Sequence, residues 1–176
     1  MNTNPPWAQT AAQSSALRRY VTRLAIAIFA AACAPAHADF EGKVIAIVDG
    51  DTLDVLVDNH PVRVRLANVD APEKKQPFGT RARQALSALA FGEVAKVEEV
   101  GKDRYGRTIG NVQAKGQNVN REIVAEGFTW AYRKYLHDRS LLDVEASARQ
   151  ARRGLWADAE PTPPWEWLAA QRSQIE

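Results

Sequence analysis

Four acidic residues lie beside turn-forming residues at the ends of apolar stretches. Asp49 and Asp51 flank a glycine in "VDGDT", Asp70 and Glu73 surround a proline in "VDAPE", and Arg65 lies between the two stretches. Carboxylates without neighbouring histidine or cysteine favour a hard cation such as Ca²⁺ or Mg²⁺. A cation and arginines would also relieve the repulsion between clustered acids. The group therefore suits phosphodiester hydrolysis, which needs a nucleophile, relief of charge on the phosphate oxygens and help for the leaving oxygen.

Each of these residues taken alone also has an ordinary structural explanation. Asp49 and Asp51 are typical of a turn around glycine, and arginines are common on surfaces. Glu73 suits the first turn of a following helix, where the helix dipole favours an acid. The chemical hypothesis therefore depends on whether the fold brings these side chains together.

Three strand-like stretches carry the acidic group. Residues 42–50, 52–58 and 61–69 are rich in alternating apolar residues, and "DNHP" between the second and third predicts a hairpin turn. Asp51 opens the second stretch and Asp70 follows the third. Adjacent strands would therefore bring Asp51 and Asp70 together.

The remainder of the chain predicts a small α+β domain. Helical spacing begins at Phe78 and stops at Gly92, strands are predicted over 93–101 and 103–113, and a second helix stops at Gly127. A third helix follows, with Asp138 as its expected N-cap. This order predicts a five-stranded OB-type β-barrel with three α-helices.

The N-terminus has the pattern of a secretory signal. Three arginines precede a short apolar stretch over residues 24–36, and Ala36-His37-Ala38 places small residues where a signal peptidase cleaves. We expect residues 1–38 to be removed and the protein to be exported, either to the periplasm or out of the cell. Two alternatives are a lipoprotein anchor through Cys33 and twin-arginine export through Arg18-Arg19.

Removal of this leader changes the charge and cysteine content. The whole chain has 23 Lys+Arg and 21 Asp+Glu, and the mature chain would keep 20 against 21, so its net charge would be about −1. Overall charge therefore does not indicate a nucleic-acid partner. Cys33 is the single cysteine and leaves with the leader. A mature disulfide, a cysteine–zinc site and a cysteine nucleophile are then excluded.

A Pro- and Trp-rich segment follows the predicted domain. We assign residues 39–157 to the domain and residues 158–176 to a C-terminal tail that contains "PTPPWEW". The tail is interpreted as a strap packed on the surface. A peptide-recognition segment is the alternative.

Four short motifs in order resemble one known family. "VDGDT", "VRLANVDAPE", "DRYGR" and "GLW" occur in the order found in the staphylococcal (micrococcal) nuclease, or thermonuclease, family. The resemblance extends from about Phe40 to Trp156. It implies an OB-type barrel and a secreted, Ca²⁺-dependent nuclease that acts on DNA and RNA without sugar specificity. It further implies endonuclease and exonuclease action that leaves 3′-phosphate ends, by a monomer without a stable protein partner.

The resemblance also implies roles for individual residues. Asp51 and Asp70 match the Ca²⁺ carboxylate ligands, and the resemblance implies the backbone carbonyl of Ala71 as a further ligand, at a position where the type member has a threonine. Glu73 matches the general base, although an electrostatic or water-positioning role is the alternative. Arg65 and Arg107 match the arginines that bind the scissile phosphate, for which the planar guanidinium is well shaped. Asp49 and Thr52 match positions that support the metal ligands. Arg104 and Tyr105, together with either Tyr132 or Tyr135, match positions that contact the nucleotide.

Two other classes of function compete with the nuclease hypothesis. One is an OB module that binds nucleic acid without cutting it, as in relatives that have lost catalytic residues. The presence of all the matching acidic and arginine residues argues against it. The other is a protein-interaction domain that uses the "PTPPWEW" segment. A nuclease assay with and without chelator distinguishes the first hypothesis from both alternatives.

Overall fold

The computed structural model describes residues 39–173, and the predicted leader lies outside the described residues. Along the chain the elements are β1 (Phe40–Ile47), β2 (Thr52–Val57), β3 (His60–Leu66), β4 (Val69–Asp70), α1 (Gly79–Ala90), β5 (Val94–Lys102), β6 (Thr108–Ala114), β7 (Gln117–Asn118), α2 (Val119–Ala125), β8 (Trp130–Ala131), α3 (Leu141–Gln150) and α4 (Pro164–Arg172).

Five strands close into a barrel, as predicted. Their order is β3-β2-β1-β5-β6, and a parallel pairing of β3 with β6 closes the ring. Apolar residues alternate along these strands, and those that face inward, such as Leu53, Val64 and Val112, are fully buried. This alternation is the period of a strand with one buried face. The barrel therefore follows from the local pattern together with closure between β3 and β6.

The hairpin between β2 and β3 sets the register that the acidic group needs. Asp58 and Asn59 have φ values of 48° and 63°, which are the left-handed conformations of a type I′ turn. Thr52 is consequently paired with Arg65 across the two strands. Arg65 therefore starts from a position directly beside the Asp51 turn.

Helices α1 and α2 cover the barrel and complete its core. The predicted helical positions Ala82, Ala85 and Leu86 of α1 are buried, as are Ile123 and Val124 of α2. Such contiguous apolar stripes stabilise a helix through packing on the barrel rather than through propensity alone.

The C-terminal part differs from the prediction in two details. Four α-helices lie within residues 39–173, one more than predicted, because the Pro-rich tail contains α4 with Pro164 in its first turn. The N-cap of α3 is Ser140 rather than Asp138. Asp138 instead accepts the backbone N–H of Ser140 at 2.9 Å, which shapes the turn before the helix.

None of the helices within residues 39–173 has the length and apolar character needed to cross a lipid bilayer.

Candidate active site

The turn between β1 and β2 is packed tightly against the rest of the domain. An added Cβ at Gly50 would lie 2.6 Å from the Ala82 Cβ and 2.7 Å from the Ala71 Cβ, so only glycine fits there. Leu66 donates its backbone N–H to the Asp51 carbonyl at 2.8 Å. The acidic turn is therefore fixed between α1 and the segment that follows β4.

Arg65 joins the two acids that sequence spacing predicted to be close. Its Nη1 lies 3.0 Å from Asp51 Oδ2, and its Nη2 lies 2.5 Å from Asp70 Oδ1. Asp51 Oδ2 also accepts the backbone N–H of Ala71 at 3.1 Å, and Asp51 Oδ1 accepts the Thr52 hydroxyl at 2.8 Å. Asp51 is thus buried with several partners that fix the direction of its carboxylate.

Asp49 supports this arrangement from the other side of the turn. Its Oδ1 accepts the backbone N–H of Asp51 at 3.1 Å, which holds the turn in an Asx-type conformation. Thr52 is almost completely buried and its hydroxyl is directed at Asp51. Both residues therefore hydrogen-bond Asp51, and their role in supporting a metal ligand stays a prediction.

The site concentrates negative charge in a partly buried region. Burial, followed by the charge of Asp51, raises the pKa of Asp70 to about 7 and that of Asp49 to about 6. Burial disfavours the charged form of Arg65 and acts to lower its pKa. The charges of the three aspartates around it outweigh burial, so the pKa of Arg65 is raised overall. One arginine does not balance these carboxylates, so additional positive charge would be favourable at this place.

The donors present are those that a hard divalent cation prefers. Asp51 and Asp70 supply carboxylate oxygens, and no hydrogen bond described for residues 39–173 ends on the carbonyl oxygen of Ala71. Oxygen donors of this kind suit Ca²⁺ or Mg²⁺. Across the described part of the chain, three or more His, Cys, Asp or Glu side chains are nowhere gathered into a cluster that would hold a metal. A cation would therefore depend on two carboxylates, backbone oxygen and water.

Glu73 lies in an exposed loop that precedes α1 and is not in the first turn of that helix. The helix-dipole explanation for this residue is therefore wrong. Burial and then the charge of Asp51 raise the pKa of Glu73, whereas Arg65 and Arg107 act in the opposite direction. The fold thus brings Glu73 within electrostatic range of both predicted phosphate-binding arginines.

Arg107 is oriented by Asp103 at the entry to β6. Its Nε donates to Asp103 Oδ2 at 2.6 Å, and its backbone N–H donates to Asp103 Oδ1 at 3.0 Å. The limited burial of Asp103 acts to raise its pKa, but these hydrogen bonds from Arg107 outweigh burial and lower the pKa of Asp103. The Arg107 guanidinium keeps further N–H donors for another ligand, since a guanidinium carries five.

The predicted substrate residues fall into two groups on the surface. Tyr105 is 70% exposed, with the guanidinium of Arg104 4.8 Å and that of Arg107 5.7 Å from its ring centroid. Tyr135 is 58% exposed, whereas Tyr132 is half-buried and stacks on Trp165 at 5.8 Å. Tyr105 and Tyr135 are therefore the most exposed of these three tyrosines.

Sequence reasoning missed two residues that hold the site. Buried Gln76 accepts the backbone N–H of Glu73 at 3.0 Å and donates to the carbonyl of Thr162 at 2.6 Å. Nothing in the local pattern indicates a contact with a segment 86 residues away. Asp103 was also missed, although its i,i+4 spacing from Arg107 in "DRYGR" was a signal that could have indicated it.

Comparison with known proteins identifies relatives of the whole domain. The family model described as "Staphylococcal nuclease homologue" matches residues 63–158. "Protein ParB" of Escherichia coli is 45% identical over 166 residues, covering 88% of this chain and 92% of that protein. "Micrococcal nuclease" of Shigella flexneri is 45% identical over 161 residues, covering 85% and 92%. An "Uncharacterized endonuclease" of Escherichia coli O157:H7 is 44% identical over 131 residues, covering 74% and 86%.

Proposed function

The chain belongs to the family of staphylococcal nuclease homologues, and on this premise we propose that it is a Ca²⁺-dependent nuclease that hydrolyses DNA and RNA with the residues around Asp51. Membership of this family makes the chain a nuclease-type hydrolase that acts on nucleic acid. The use of these particular residues is supported by the fork of Arg65 between Asp51 and Asp70, with Glu73 and Arg107 within electrostatic range.

Ca²⁺ fits the oxygen donors of Asp51, Asp70 and the Ala71 carbonyl, and when bound it would supply fixed positive charge against the phosphate oxygens. Arg65 and Arg107 would bind the nonbridging oxygens through N–H donors that their aspartate partners leave free. Such donors stabilise charge that grows in the transition state. Arg107 would also assist the departing 5′ oxygen, so the products would carry 3′-phosphate ends.

Glu73 would orient a water molecule and take its proton as the water attacks phosphorus. Burial and nearby negative charge raise its pKa, which makes it a better base than an unperturbed carboxylate. Its backbone is anchored by Gln76, while its side chain is only partly shielded from solvent. This combination suits a group that must reach a solvent water from a fixed position. Tyr105, Tyr135 and Arg104 would hold the neighbouring base and phosphate, and Tyr132 would support Tyr135 by edge contact at 5.3 Å.

The test is a fluorogenic nuclease assay on single-stranded and circular double-stranded DNA and on RNA. Activity should disappear with chelator and return with Ca²⁺, and cleavage of circular DNA should show endonuclease action. Arg65→Lys should lower turnover because it keeps the charge but loses the fork. Arg121→Lys is the control, since Arg121 is exposed on α2 and hydrogen-bonds Ser140 rather than an acidic residue of the site. Activity that survives chelation would contradict the metal proposal, and equal rates for the two variants would contradict the role of Arg65.

We also propose that the protein is exported and acts as a monomer. The leader pattern is the support for export, and the mature N-terminus is expected at Asp39. Mass spectrometry of the protein released by a secreting host checks this. A lipid-modified Cys33 terminus would contradict it.

A further inference from the structure

A second concave surface lies outside the acidic site, between α3 and the C-terminal segment. It has a volume of about 680 Å³, within the usual range for small-molecule sites of roughly 300–1,000 Å³. We call it the tryptophan–arginine cavity, after the six lining residues that give it its chemistry: Trp130, Trp156, Trp165, Arg133, Arg149 and Arg152.

The tryptophans form one rigid aromatic group. Trp130 contacts Trp156 and Trp165 edge-to-face, with centroid distances of 5.4 and 6.4 Å. Trp130 and Trp156 are almost completely buried, whereas Trp165 is only half-buried. Trp165 therefore has ring surface that a ligand can reach, on a side chain that its neighbours hold in place.

The arginines give the cavity a positive balance. Buried Glu145 pairs with Arg133 and, at 3.4 Å, with Arg149, so these two guanidinium groups are oriented by a carboxylate behind them. Arg152 is exposed and takes part in none of the ion pairs described for residues 39–173. Two acids, Asp158 in the lining and Glu145 behind it, offset two of the three arginines. The cavity therefore keeps an excess of one positive charge. An anionic ligand with a flat ring would satisfy both features.

Strand pairing and a hydrogen bond link residues at the cavity to residues of the acidic site. Trp130 is the direct strand partner of Asp70 in the β4–β8 pair, so the two side chains lie on the same side of that ribbon. Gln76 joins the Glu73 loop to Thr162, between two prolines that line the cavity. Tyr132 stacks on Trp165, with 23° between the ring planes.

We propose that the tryptophan–arginine cavity is an additional nucleotide subsite, which holds a base against Trp165 and a phosphate against Arg152. Its ligand is a single-stranded part of the same nucleic acid that is cut at the acidic site, so the inference rests on the proposed function. Only an unstacked base offers its face to an indole ring, which is why the subsite favours single strands over duplexes.

The test measures binding and cleavage separately on the purified full chain. Binding of a fluorescein-labelled ten-nucleotide thymidine strand is followed by anisotropy in chelator, across a range of salt concentrations. Arg152→Glu should weaken binding by about tenfold, as expected for one charge-assisted contact, and should flatten the salt slope by about 0.7. Trp165→Leu should weaken binding by about fivefold or more and leave the salt slope unchanged. Lys96→Glu is the matched charge control, because Lys96 is exposed on β5, which pairs with β1 and β6 rather than with the cavity.

Cleavage assays with Ca²⁺ distinguish this inference from the proposed function. Arg152→Glu should raise KM for the ten-nucleotide strand more than for a dinucleotide, which offers fewer bases and phosphates to the cavity. If Arg152→Glu binds and cuts the long strand like Lys96→Glu, the subsite is wrong and the nuclease function stands. If no form of the protein cuts, the proposed function fails, and the anisotropy series still decides whether the cavity binds a single strand.

Discussion

Replacement of Gln76 tests whether the loop that carries Glu73 must be fixed for cleavage. The Gln76 side chain is only 6% exposed. Gln76→Ala removes two hydrogen bonds, one accepted from the Glu73 N–H and one donated to the Thr162 carbonyl. Each lost hydrogen bond costs about 1 kcal/mol, so the free energy of unfolding should fall by about 2 kcal/mol. Because a displacement of about 1 Å of a catalytic group costs about 10²-fold in rate, kcat should fall by about 10- to 100-fold.

The assay compares kcat and KM for a single-stranded substrate with urea unfolding of the same preparation. Gln76→Glu is the informative second variant, since it keeps the acceptor for the Glu73 N–H and can donate to the Thr162 carbonyl only while its carboxyl group is protonated. Its stability should fall as pH rises and this buried carboxyl ionises, because a carboxylate oxygen would then face the Thr162 carbonyl without a proton between them. If Gln76→Ala loses stability but keeps the parental kcat, Gln76 is only a structural tie and the positioning argument is refuted.

The remaining predictions concern the acids of the site. Glu73→Gln should lower single-turnover cleavage by about 10²–10⁴-fold and change nucleotide affinity much less, and a loss of binding as large as the loss of rate would contradict the role of a base. Asp103→Ala should free Arg107 and lower kcat/KM by about tenfold, with unchanged binding of Ca²⁺ measured by calorimetry. Without metal, the pKa of Asp70 in the folded protein is about 7, above the 3.8 of an unperturbed aspartate, so its contribution to stability is full below pH 4 and is lost as pH rises through 7. Urea unfolding in chelator should therefore show up to about 4 kcal/mol less stability at pH 8 than at pH 4 from this group, and Asp70→Asn should remove that dependence.

The sequence alone determined the barrel and the chemical types at its acidic end. Alternation of apolar residues is local, so the strands, the Asp58-Asn59 hairpin and the packing face of α1 could be predicted from short stretches. The hairpin then fixes which residues face each other, which places Arg65 beside the Asp51 turn. The resemblance in four motifs supplied the expected roles, and the family model confirms the family.

Tertiary structure alone decided how the site is held and what lies next to it. The contact of Gln76 with Thr162, the pairing of Asp70 with Trp130 and the stacking of Tyr132 on Trp165 join segments that are far apart in sequence. No local pattern encodes such contacts, because they depend on where the closed barrel places each loop. The raised pKa of Asp70 has the same origin, since burial and the charge of Asp51 act only once the chain has folded around them.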